Sequence, residues 1–87
     1  MGVRIYEAEY KPFSLEGYTS EEVERVVADY IVEPLGTLGD AVVFYIDAEH
    51  IEDILANRHL PENDRKVLEA LKHEAEKRDG GFDLVFL

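Results

Sequence analysis

The densest group of chemically able side chains is Asp47-x-Glu49-His50-x-Glu52-Asp53. Carboxylates supply hard oxygen donors, the chemistry that holds Mg²⁺ or Ca²⁺. The spacing is not that of an EF-hand, because the loop glycine and the twelfth-position Glu are missing. Asp47 also has a plainer use as a helix cap, with the acids after it facing the positive end of the helix dipole. His50, His59 and His73 lie in three different segments, and no pair has the i,i+4 spacing that puts two imidazoles on one helix face. The hydroxyl nucleophiles are Ser14, Ser20, Thr19 and Thr37, with no G-x-S-x-G around them. Gly36-Thr37-Leu38-Gly39 follows a helix instead of opening one and lacks the Lys of a phosphate loop, so it reads as a turn. No catalytic residue, metal or cofactor is assigned, and the chain is expected not to be an enzyme.

Elements must position these side chains. Thr19-Ser20-Glu21-Glu22 is a capping box, in which Thr19 accepts from the Glu22 amide and Glu22 reaches back to the Thr19 amide. Behind it Val23, Val26, Val27, Tyr30 and Ile31 form one apolar stripe, which predicts a helix over 20–32. Glu33-Pro34 and Gly36 end it. Asp47 opens a second, short helix carrying Ile51, Ile54 and Leu55. Residues 57–60 break the pattern. Pro61 suits the first turn of a third helix, with Val67, Leu68, Leu71 and Ala75 as its stripe and Gly80-Gly81 as its stop.

Three segments read as strands. Val3–Tyr10 alternates, with Val3 and Ile5 on one face and Tyr6, Ala8 and Tyr10 on the other. Ala41–Ile46 is an unbroken apolar run, the pattern of a strand buried on both faces. Phe82–Leu87 closes the chain. The order β-α-β-α-α-β predicts an α/β fold: a small, mainly parallel three-stranded sheet with Ala41–Ile46 central and the helices packed on it. The alternative is an α+β fold with an additional antiparallel strand near residues 13–18.

Composition bounds the rest. Eighty-seven residues make one domain, 1–87. Twenty-seven Val, Ile, Leu and Phe suffice for one modest core, so the charge does not signal disorder. The absence of cysteine fits a reducing, cytoplasmic compartment. No apolar run approaches a membrane span, and the N-terminus has no apolar signal region.

The charge is uneven. The chain has 20 acids, 9 bases and a net charge of −11. Residues 1–40 carry nine acids and three bases, and residues 41–64 six acids and one base. Residues 65–87 carry five of each. An acidic surface argues against direct binding to nucleic acid or anionic membrane. It predicts a docking face of Glu21, Glu22, Asp29, Glu33, Asp47, Glu49, Glu52 and Asp53 for a basic protein partner. Tyr6, Tyr10 and Tyr18 are the expected aromatic anchors.

The second half resembles the barstar family of small acidic ribonuclease inhibitors. The resemblance rests on Ala41–Ile46 running into Asp-Ala-Glu-His-Ile-Glu, the charged helix near Val67–Lys77 and the ending Gly-Phe-Asp-Leu-Val-Phe-Leu. It covers residues 40–87. The family's inhibitory segment, with its Trp, has no counterpart in residues 33–40, so no inhibitory residue carries over. The expected function is a small acidic protein-interaction module, an inhibitor or regulator, acting as a monomer. The alternatives are a nucleic-acid mimic acting on a DNA- or RNA-handling protein, or a carboxylate protein that binds a divalent metal.

Overall fold

The computed structural model describes residues 3–7, 11–31, 36–38 and 41–87. In chain order the elements are β1 (Ile5–Glu7), β2 (Lys11–Pro12), α1 (Ser20–Tyr30), β3 (Gly36–Leu38), β4 (Ala41–Asp47), α2 (Ala48–Asn57), α3 (Glu62–Glu76) and β5 (Gly81–Phe86). The strands form one sheet in the order β2-β1-β5-β4-β3. Every pairing in it is antiparallel. The fold is therefore α+β, not the mainly parallel three-stranded α/β sheet that the order of elements predicts.

The physical reason lies between β4 and β5. One helix between two strands carries the chain back to where the first strand began, which makes the pair parallel. Two helices folded as a hairpin return it to the end where the first strand stopped. Here α2 and α3 follow one another across a short link, and the Ala48 amide donates to the Gly80 carbonyl at 2.9 Å. The start of α2 and the start of β5 thus meet, and β5 must run back along β4.

Two further corrections concern the strands. The centre of the sheet is β5, with β4 one place outward. Residues 13–18 are not a strand: Phe13 and Leu15 are buried, and a turn closes with the Tyr18 amide on the Leu15 carbonyl at 3.1 Å. The extra antiparallel strands are β2 and β3. Gly36–Leu38, read as a turn, pairs with Ala41–Val43.

The helices lie on one face of the sheet. Phe44, Ile46, Phe82, Leu84 and Phe86 pack with Val23, Val26, Val27, Ile51, Val67, Leu68 and Leu71 in the larger apolar cluster. The opposite face holds a smaller one, Ala41, Val43 and Val85 with Tyr6 against it, to which no helix contributes. Val3 and Ile5 join the larger cluster and Tyr6 the smaller, as their alternation requires.

The helix ends follow the caps. The Glu22 amide donates to Thr19 Oγ1 at 3.1 Å. The return half of the box differs: the Glu22 carboxylate accepts from the Thr19 hydroxyl and from Asn63 Nδ2 at 3.2 Å, which ties α1 to the start of α3. Pro61 sits at the N-cap of α3, one position before the expected first turn. After α3 the chain turns through Asp79 and Gly80, both at positive φ. The Gly80 amide closes on the Ala75 carbonyl at 2.8 Å, a left-handed cap that glycine adopts without strain.

Candidate functional site

The first site residues to locate are the acids of α2. Asp47 is its N-cap and accepts from the Glu49 amide at 3.0 Å. Ile51 and Ile54 face the core, so helical periodicity turns Glu49, Glu52 and Asp53 outward. All three are exposed and form no side-chain hydrogen bond or ion pair among the described residues. They lie at i, i+3 and i+4, one stripe of the helix.

The acids of α1 divide differently. Glu21 is exposed in the first turn. Glu22 is engaged by Thr19 and Asn63. Asp29 accepts from Arg25 at 3.3 Å. Glu33 and Tyr10 lie outside the described residues. Tyr6 and Tyr18 are half-buried against the apolar clusters.

Two internal networks take up charge. Asp64, only 6% exposed, accepts from Arg25 at 2.6 Å and from the Tyr30 hydroxyl at 2.7 Å. The Arg58 guanidinium lies 5.0 Å from the centre of the Tyr30 ring. At the other end of α3, Arg78 grips both carboxylate oxygens of Glu7, at 3.2 and 2.8 Å. Its remaining arm donates to the Glu74 carboxylate and carbonyl. The same guanidinium sits 4.6 Å from the Phe82 ring centre and 5.7 Å from that of Phe13.

The electrostatics of these groups bear on chemistry. The Arg25 bond, seconded by Tyr30, holds the Asp64 carboxyl below the usual carboxylate range. The Arg78 bond does the same for Glu7 and Glu74. Hydrogen bonding to Asp64 pushes the Tyr30 phenol up. The Glu7 bond raises Arg78, and the Asp64 bond raises Arg25. Every shift moves its group away from neutrality, whereas a general acid or base works best with a pKa near the working pH. These groups are held as permanent partners.

A cleft of about 440 Å³ lies between α1 and the sheet, with Val42, Phe44 and Phe86 on the sheet side and Glu24, Arg25, Ala28 and Asp29 on the helix side. Its one cation, Arg25, is already committed to Asp64 and Asp29. Among the described residues no group of three or more His, Asp or Glu converges to hold a metal ion. The Asp47–Asp53 acids are thus spread along a helix and not gathered around a point. No helix among the described residues is long and apolar enough to cross a membrane.

One surface residue escapes the sequence reading. Tyr45, inside the apolar run whose pattern predicts burial on both faces, is 46% exposed on the side of the sheet away from the helices. Its cross-strand partner is Asp83, a polar residue in the other long strand. That pairing is invisible until the register is known.

No protein-family model, curated protein or solved structure matches the chain.

Proposed function

We propose that the protein is a small acidic interaction module, an inhibitor or regulator that docks a basic protein through the outer stripe of α2. The carrying observation is that Glu49, Glu52 and Asp53 stand exposed and unpaired among the described residues. Of the chain's cations, Arg25, Lys77 and Arg78 are held in ion pairs with other acids and Arg58 lies on Tyr30. A net charge of −11 steers a basic partner toward such a face. The absence of cysteine fits action in the cytoplasm. Monomeric, non-enzymatic action is part of the same reading. The molecular extents of 34 × 28 × 23 Å favour a compact patch over the long acidic strip a nucleic-acid mimic needs.

The test is titration with a basic peptide at increasing salt, wild type against Glu49→Gln/Glu52→Gln/Asp53→Asn. Affinity is expected to fall on the order of tenfold between 50 and 300 mM salt, as for exposed charges screened beyond the Debye length. The triple variant is expected to lose most of the binding. A salt-independent complex, or full affinity in the triple variant, overturns the proposal.

A further inference from the structure

Among the described residues β4 and β5 extend beyond their pairings with β3 and β1. Among the described residues β3 pairs with β4 only over Ala41–Val43, and β1 pairs with β5 only over Leu84–Phe86. There the segments Tyr45–Asp47 and Gly81–Asp83 pair with each other, with no further strand beside them among the described residues. Ile46 and Phe82 are buried in the core on its helix side. The opposite side carries Tyr45, Asp47, Gly81 and Asp83, by strand alternation.

The register places these four at the corners of a square. Tyr45 is opposite Asp83, and Asp47 is opposite Gly81. A methyl group on Gly81 would overlap the hydroxyl end of the Tyr45 ring. The ring therefore lies along one diagonal, over the Gly81 backbone. Only a residue without a side chain lets it lie there. The other diagonal holds Asp47 and Asp83, at the roughly 5–8 Å spacing of cross-strand and diagonal neighbours from Tyr45. The Asp83 carboxylate makes no hydrogen bond or ion pair among the described residues, and Asp47 commits one oxygen to the Glu49 amide.

An aromatic face flanked by carboxylates fits a cation, because the ring's quadrupole is negative on its face. A guanidinium fits better than an ammonium. It stacks flat on the ring while its edge donates to carboxylates in the same plane, which a compact ammonium cannot do. A second copy of this chain is a poor occupant, since it brings the same −11 charge. We propose that Tyr45, Asp47 and Asp83 form a receptor for an arginine side chain of the basic protein partner. This deepens, and rests on, the reading of α2 as a docking stripe, which begins two residues beyond Asp47.

The probe is an eight-residue peptide of alternating Arg and Gly, with its Lys-Gly and Gln-Gly counterparts. Binding is followed by calorimetry and by the shifts of the Tyr45 ring protons and the Gly81 amide. The Arg peptide is expected to bind, to move both signals and to outbind the Lys peptide about threefold, while the Gln peptide does not bind. Tyr45→Phe is expected to keep the affinity within about twofold, because the ring face remains. Tyr45→Leu is expected to lower it about three- to fivefold, and Asp83→Asn to do likewise. Thermal melts confirm that each variant is folded. If the α2 triple variant loses binding while Tyr45→Leu and Asp83→Asn keep it, the arginine receptor is overturned and the docking stripe stands. If the Arg peptide binds neither surface, both fall.

Discussion

At the scale of the residue, Asp64 carries the clearest consequence. It is the one buried acid among the described residues, and its partners come from another helix. It stands in the first turn of α3. Only the packing of α1 against α3 shows that Arg25 and Tyr30 close over it. Asp64→Ala removes the acceptor and leaves the Tyr30 hydroxyl and one arm of Arg25 without it. Losing a buried acceptor of a charged donor costs about 1–3 kcal/mol. Arg25 is half-exposed and recovers water, so the lower part of that range is expected. Urea unfolding at pH 7 measures it, and an unchanged midpoint would refute the structural role. Tyr45 makes the complementary point. Its neighbours in sequence are apolar, and its exposure was not legible without the sheet.

At the scale of the element, the three helices were legible and the sheet was not. A cap and an apolar stripe are local facts: Thr19 and Glu22, or Ile51 and Ile54, lie within a turn or two of each other. Strand pairing joins residues such as Ile5 and Phe86 from the two ends of the chain. The short strands β1 and β2 also depend on a side chain that sequence could not connect to them. Arg78, just past α3, holds Glu7 of β1 and stacks on Phe13, the residue after β2. Arg78→Gln is expected to loosen this edge selectively. Hydrogen exchange at the Phe13 and Leu87 amides, which bond to Ile5 and Arg4, should quicken on the order of tenfold. The β4–β5 amides should stay protected. Equal quickening of both sets would mean that Arg78 supports the whole domain, not the edge.

At the scale of the whole molecule, two charge effects oppose each other as pH falls. Glu7, Glu74 and Asp64 have folded pKa values lowered by their arginine and tyrosine partners. Each contributes stability that is complete above its unfolded value, about 4, and is lost as pH falls through the lower folded value. The remaining acids repel one another across a chain of net charge −11, and protonating them relieves that strain. The thermal midpoint is therefore expected to hold or rise from pH 7 to about 5 and to drop steeply below about 4. A midpoint that keeps rising to pH 3 would show that repulsion outweighs the internal pairs.

The sequence by itself determined the three helices, the capped starts of α1 and α2, and the concentration of acid before Arg65. Each depends on spacing along one chain or on simple counting, and neither needs a third dimension. Only the tertiary structure decided the strand directions, the place of β5 at the centre, the burial of Asp64 and the exposure of Tyr45. The direction of β5 follows from the folding of α2 and α3 into a hairpin that returns the chain to the end of β4, its central place from the added pairing with β1, and the burial of Asp64 from the packing of α1 against α3. That return brings Gly81 and Asp83 beside Tyr45 and Asp47, a meeting of distant residues that no local pattern encodes.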